Sequence, residues 1–197
     1  MSNRPAICVF CGSALGLLPS FTETAEQVGQ ELAHRGVELV YGGGRVGLMG
    51  VVADSVLRAG GRAVGVIPEA LATKEIAHDG LTELHVVSGM HERKALMAAK
   101  ATAFLTLPGG IGTFEEFFEI LSWGALGLHQ KPIGILNVDG YFDPLIALIE
   151  HGITQDFIRD HFLHPLFVSD HLDSLLNKLL SYVPPAISPR WITLEDA

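Results

Sequence analysis

The sequence of 197 residues is poor in cysteine, in charge and in long apolar runs. Two cysteines, Cys8 and Cys11, cannot build a disulfide framework, and a chain of this length can bury a core without one. Their Cys-x-x-Cys spacing falls on a strand and its exit rather than at a helix start, where a thiolate would be stabilised. They are therefore expected to be buried thiols, not redox groups or metal ligands. Lys and Arg number 13 against 22 Asp and Glu, and the formal charge of −9 repels a phosphate polymer over most of the surface. That argues against nucleic acid as a partner and leaves room for a small phosphorylated ligand in a local positive site. The apolar stretch within Met1–Phe10 is too short for a signal peptide or a bilayer span, so no membrane is expected and the cytoplasm is the expected compartment. No repeat, low-complexity tract or linker divides the chain. One domain over 1–183 is expected, followed by a tail over 184–197 in which Pro184, Pro185 and Pro189 rule out a helix.

What the sequence does have is glycine, 22 residues of it, placed after short apolar runs that alternate with amphipathic segments. This is the pattern of parallel βαβ units. Strands are predicted at Ala6–Cys11, Glu38–Tyr41, Ala63–Ile67, Leu84–Val87, Ala103–Leu107, Pro132–Leu136 and Leu166–Val168. Helices are predicted at Ser20–Arg35, Gly47–Ala59, Met90–Lys100, Thr113–Leu126, Phe142–Glu150, Thr154–His161 and His171–Ser181. Capping boxes are read at Ser20 with Glu23 and at Thr113 with Glu116. The fold class is α/β, a single doubly wound and mostly parallel Rossmann-like sheet with helices on both faces. Ligands of such sheets bind beyond the carboxyl ends of the strands, which selects the loops 12–16, 42–47, 67–75, 88–94 and 108–113.

Two of these loops are glycine-rich. Gly42-Gly43-Gly44-Arg45-Val46-Gly47, with Glu69 downstream, satisfies a dinucleotide fingerprint but follows the second strand instead of the first, so close packing or phosphate approach competes with that reading. Pro108-Gly109-Gly110-Ile111-Gly112-Thr113 lies between a strand and a helix whose free amides suit an anion. The plainer alternative is a tight turn with Thr113 as the helix cap. Met90-His91-Glu92-Arg93-Lys94 puts two adjacent cations in the first turn of a helix, where the macrodipole opposes them. A bound phosphate, a partnering carboxylate or plain solvation would explain them.

Taken together, Pro108–Glu116 and Met90-x-x-Arg93-Lys94 resemble the Lonely Guy family of cytokinin riboside 5′-monophosphate phosphoribohydrolases, many of which are labelled lysine decarboxylases. The similarity extends to Phe10-Cys11-Gly12-Ser13, Tyr41-Gly42-Gly43-Gly44, Gly47-Leu48-Met49-Gly50, Ile67-Pro68 and Gly134-Ile135-Leu136-Asn137. The resemblance implies catalytic roles for Arg93 and Glu116. It implies nucleotide contacts from Gly12, Ser13, Gly43, Gly44, Glu75, Met90, Lys94, Gly109, Gly110, Ile111, Gly112, Thr113, Phe114, Glu115 and Ser122, the last standing where plant members often have Thr. It further implies a homodimer, to which the aromatic helix surface of Phe114, Phe117, Phe118, Leu121 and Trp123 could contribute, although all of these could equally be core.

The expected reaction is hydrolysis of the N-glycosidic bond of a purine nucleoside 5′-monophosphate, AMP or a cytokinin riboside 5′-monophosphate, to free base and ribose 5-phosphate. Glu116 would act on the attacking water and Arg93 would orient Glu116 or the ribose hydroxyls. No cofactor is expected. His161 and His164 are the only close histidine pair and lack a matching carboxylate, and Lys74, Lys94 and Lys100 lack the surroundings of a pyridoxal phosphate lysine. The competing reading is a non-catalytic nucleotide or molybdopterin-type cofactor carrier on the same fold.

Overall fold

The computed structural model describes residues 4–72, 76–159, 163 and 165–185. All seven predicted strands form: β1 Ala6–Phe10, β2 Glu38–Tyr41, β3 Ala63–Pro68, β4 Glu83–Val87, β5 Ala103–Thr106, β6 Ile133–Leu136 and β7 Leu166–Ser169. They pair in parallel throughout, in the order β4-β3-β2-β1-β5-β6-β7. β1, β3, β5 and β6 are buried at every position, which is why they read as continuous apolar runs without alternation. At the edge, β4 leaves Glu83, Leu84 and Val86 exposed.

Among the described residues, six α-helices cover the sheet: α1 Pro19–His34, α2 Gly47–Arg58, α3 Met90–Lys100, α4 Ile111–Ala125, α5 Asp143–Thr154 and α6 Leu172–Ser181. α1, α2 and α6 pack on one face against Ile7, Val9, Leu39, Tyr41 and Leu105. α3, α4 and α5 pack on the other against Cys8, Phe10, Val40 and Phe104. Among the described residues, no helix is long and apolar enough to cross a membrane. Both cysteines are free and buried, as expected, and burial pushes both thiols up in pKa.

Two helix starts depart from the sequence reading, and both helices begin upstream of the expected capping residue. Neither capping box forms. α1 begins at Pro19, whose fixed φ and missing N–H suit a first helical position, and the Ser20 hydroxyl donates to the Asp139 carboxylate instead. α4 begins two residues before Thr113, at Ile111, with Gly110 as its unassisted N-cap, so the Thr113 side chain is carried into the buried first turn. The helix expected over Thr154–His161 is also absent through residue 159. α5 extends to Thr154, and Asp156 then takes φ 61°, a left-handed conformation that stops a helix. Residues 160 and 161 of that expected helix, Phe162, His164, and the tail from Ala186 onward lie outside the described residues.

The sheet order creates the site. From β1 the chain steps outward through β2, β3 and β4, then returns through α3 to β5 on the other side of β1. The loops leaving β1 and β5 therefore diverge, and the crevice between them is the switch point where ligands of open parallel sheets sit. The Gly12 N–H donates to the Pro108 carbonyl at 3.0 Å and ties the two loops together.

Candidate active site

At the start of α4 the first intrahelical bond runs from the Phe114 N–H to the Gly110 carbonyl at 3.0 Å, leaving the amides of Ile111, Gly112 and Thr113 without helical acceptors. No acidic residue stands in the first turn to offset the dipole. The turn before it closes because Gly109 lacks a side chain. A Cβ there would collide with the Thr113 hydroxyl and lie 2.8 Å from the Gly12 nitrogen. A cavity of about 270 Å³ opens at this point, lined by Gly12, Ser13, Gly109, Gly110, Leu48 and Tyr141, among others. Free backbone amides, not a distant charge, are what this opening offers to an anion.

Arg93 and Glu116 approach this site from the α3 and α4 side. The Arg93 Nε donates to the Val66 carbonyl at 3.2 Å, and Nη1 lies 3.5 Å from Glu116 Oε1 and 3.8 Å from the Met90 sulfur. Nη2 rests over Gly42, where any Cβ would collide with it. Gly42 thus admits the guanidinium, a use that the dinucleotide reading of this loop did not contain. The rest of that loop is covered by its own chain: Arg45 N–H donates to the Ile76 carbonyl at 2.8 Å, His78 N–H to the Gly43 carbonyl at 3.0 Å, and Gly44 bridges to Ala77. Gly43 and Gly44 accordingly pack under residues 76–78 rather than opening a pyrophosphate cradle.

Glu116 is 8 % exposed. Burial raises its pKa to about 7; Arg93 and Lys94 oppose the shift, and Glu115 and Glu119 add to it. A carboxyl group poised there can take a proton near neutrality, which an ordinary surface glutamate does poorly. Lys94 has a different role from its neighbour. Its ammonium pairs with Glu115 and, at 3.0 Å, with Glu119. Burial works against that charge, but the two carboxylates outweigh it and hold its pKa above the ordinary lysine value. The two cations at the start of α3 are therefore met by partnering carboxylates on α4, one of the explanations open at the sequence level.

Gly12, Ser13, Gly109 and Gly110 line one cavity, Ile111, Gly112 and Thr113 continue from it as the first residues of α4, and Met90, Arg93, Lys94, Glu115 and Glu116 meet one another between α3 and α4. Phe114 packs partly into the core. Ser122 is exposed and lies six residues past Glu116, about 9 Å further along α4 and on another face, so it does not join the loop within one chain. Glu75 lies outside the described residues. Sequence reasoning missed Glu119, whose i, i+4 spacing from Glu115 was a usable signal, and Tyr141, whose hydroxyl donates to the Gly109 carbonyl.

A wider groove of about 1230 Å³ runs along α1 and the loops after β6 and β7. Glu31, Asp139, Asp143, Asp170 and Asp173 line it, and it holds neither Arg93 nor Glu116, so its charged lining is mainly acidic.

Comparison with known proteins agrees with this geometry. Residues 49–179 match the family model described as possible lysine decarboxylase. A probable cytokinin riboside 5′-monophosphate phosphoribohydrolase of Oryza sativa subsp. japonica is 50 % identical over 176 residues, spanning 89 % of this chain and 79 % of the relative. A cytokinin riboside 5′-monophosphate phosphoribohydrolase of Arabidopsis thaliana is 45 % identical over 93 % of this chain and 84 % of its own. Among solved structures, the molybdenum cofactor binding protein of Rippkaea orientalis superposes with a TM-score of 0.69 at 20 % identity, over 92 % of this chain and all of that one, which shows a shared fold. Identity of this extent to the phosphoribohydrolases places the chain in their family: it is a member of the Lonely Guy family of cytokinin riboside 5′-monophosphate phosphoribohydrolases.

Proposed function

We propose that the protein hydrolyses the N-glycosidic bond of purine nucleoside 5′-monophosphates, releasing the base and ribose 5-phosphate. The observation that carries this reading is the buried Glu116 carboxyl, with a pKa near 7 and 3.5 Å from Arg93, one turn behind an anion-binding helix start. The phosphate rests on the amides of Ile111, Gly112 and Thr113, which orients the sugar toward Glu116. As the bond from C1′ to the base breaks, its electron pair leaves with the base and positive charge develops on the ribose. Ionised Glu116 stabilises that charge. It then accepts a proton from the water whose oxygen bonds to C1′, while the departing base takes up a proton from solvent and Glu116 afterwards returns its own to solvent. Arg93, 3.5 Å away, favours the ionised form of Glu116 against the effect of burial and orients its carboxylate. Water is the only co-reactant, so the reaction needs no cofactor.

Incubation with AMP and with N6-isopentenyl AMP tests the reading. We expect free base and ribose 5-phosphate from at least one of them, and the ratio of rates identifies the preferred substrate. Binding of both nucleotides without base release would instead make the chain a carrier.

We also propose that the protein is a homodimer joined through the outer surface of α4. Phe117 and Leu121 are core and Phe114 and Trp123 pack partly against it, yet Phe118, Leu126 and Leu128 stay 38 %, 50 % and 69 % exposed. Sedimentation equilibrium should give twice the mass of one chain, and Phe118→Glu should halve it; a wild-type monomer at micromolar concentration refutes the pairing.

A further inference from the structure

We infer that Tyr141, which no motif singled out, is a positioning residue for the phosphate of the substrate. The inference rests on the nucleotide hydrolysis proposed above. Its starting point is an unusual weakness of the anion loop: the peptide between Gly109 and Gly110 has no side chain on either flank. Such a peptide can flip with little steric cost. A flip would turn the Gly109 carbonyl to where the Gly110 N–H had pointed and present a lone pair to the phosphate.

A hydrogen bond to the Gly109 carbonyl opposes this directly, and another, on the preceding peptide, anchors the loop. The Pro108 carbonyl accepts from the Gly12 N–H at 3.0 Å, and the next carbonyl, Gly109, accepts from the Tyr141 hydroxyl. Because C=O and N–H point oppositely across a trans peptide, holding the Gly109 oxygen toward Tyr141 fixes the Gly110 N–H in the opposite direction. Tyr141 thereby fixes a donor without itself spending its hydroxyl on the ligand.

The ring is held well enough to serve. It meets Phe21 edge-on at 5.6 Å and 76°, and Phe142 at 5.0 Å and 86°. The segment that carries it is braced on both sides. The Asn137 amide donates to Asp143 at 2.7 Å and its oxygen accepts from the Phe142 N–H at 2.8 Å, while Ser20 donates to Asp139. This explains why Ser20 does not cap α1. Tyr141 nevertheless keeps 37 % of its surface exposed and lines the cavity beside Gly12 and Gly109, so it stands at the mouth of the site and not in the core.

The test is Tyr141→Phe, which removes only the hydroxyl, with ribose 5-phosphate and adenine as separate calorimetric probes. Loss of one hydrogen bond of ordinary strength should weaken ribose 5-phosphate binding about fivefold and raise KM for the nucleotide by a similar factor. kcat should fall by less, and adenine affinity and thermal midpoint should stay near wild type. A merely structural tyrosine would lower the midpoint and weaken both probes together. Equal ribose 5-phosphate affinity in the two folded proteins overturns the inference while leaving hydrolysis intact. Failure of the wild type to release base from any nucleotide overturns the hydrolytic reading, and the inference with it.

Discussion

Glu116→Gln should lower kcat for base release by about 10²- to 10⁴-fold, the usual contribution of a positioned acid or base, while KM moves little. Glutamine keeps the size and much of the hydrogen bonding of glutamate but carries no charge and takes up no proton. Because Glu116 does not cap α4, whose N-cap Gly110 receives no side-chain bond, its loss leaves the helix start untouched. A second readout has the opposite sign. The ordinary value of 4.5 is raised to about 7 in the folded chain, so between those values the folded state holds a proton that the unfolded state has released. Stability therefore falls as pH rises through this window, by on the order of 3 kcal/mol at full ionisation. Glu116→Gln removes that penalty. Above pH 7 the variant should unfold at a higher denaturant concentration than the wild type, and below pH 4.5 the difference should vanish. A dead enzyme that is more stable at neutral pH is the signature of a carboxylate kept for chemistry.

Arg93→Leu should cost about 10²- to 10³-fold in kcat/KM, comparable to deleting one charge-stabilising donor. Leucine leaves the Val66 carbonyl without its 3.2 Å donor and Glu116 without its cationic neighbour at 3.5 Å. With only Lys94 left to oppose desolvation, the carboxyl protonates more readily and less of it is active at neutral pH. Arg93→Lys is not a conservative rescue. An ammonium cannot reach Val66, Glu116 and the space over Gly42 with one planar group. Retention of at least a third of wild-type kcat/KM by Arg93→Leu would remove Arg93 from the mechanism.

The parts of the fold legible in the sequence were those set by burial on two faces. The runs that became β1, β3 and β5 have no competing reading, and the glycine turns after them mark the sheet edge at which a ligand binds. Helix starts were misread because a Ser-x-x-Glu or Thr-x-x-Glu spacing shows that a cap can form, not that the hydroxyl lacks a better partner. Ser20 has one in Asp139, which is 119 residues away. The same distinction governs the site. Arg93 and Lys94 were legible because positive charge at a helix start needs an explanation that one segment can pose. The answer required the fold, since Glu115, Glu116 and Glu119 meet them only when α3 and α4 lie side by side. Gly42 was legible only as one glycine of a loop read for dinucleotide binding, close packing or phosphate approach, and Tyr141 carried no local signal at all. One is defined by the guanidinium that rests on it and the other by a carbonyl 32 residues upstream.

The central claim is that a buried, ionisable Glu116 limits the reaction, and kcat against pH at saturating nucleotide tests it most directly. Saturation removes the titration of the free substrate, and the bound phosphate, being negative, can only hold the Glu116 pKa at or above its value of about 7. The account predicts a tenfold rise per pH unit on the acid side, a break at or above pH 7, and a break displaced further upward in Arg93→Leu. A kcat that stays flat from pH 5 to pH 8 in the wild type would contradict it.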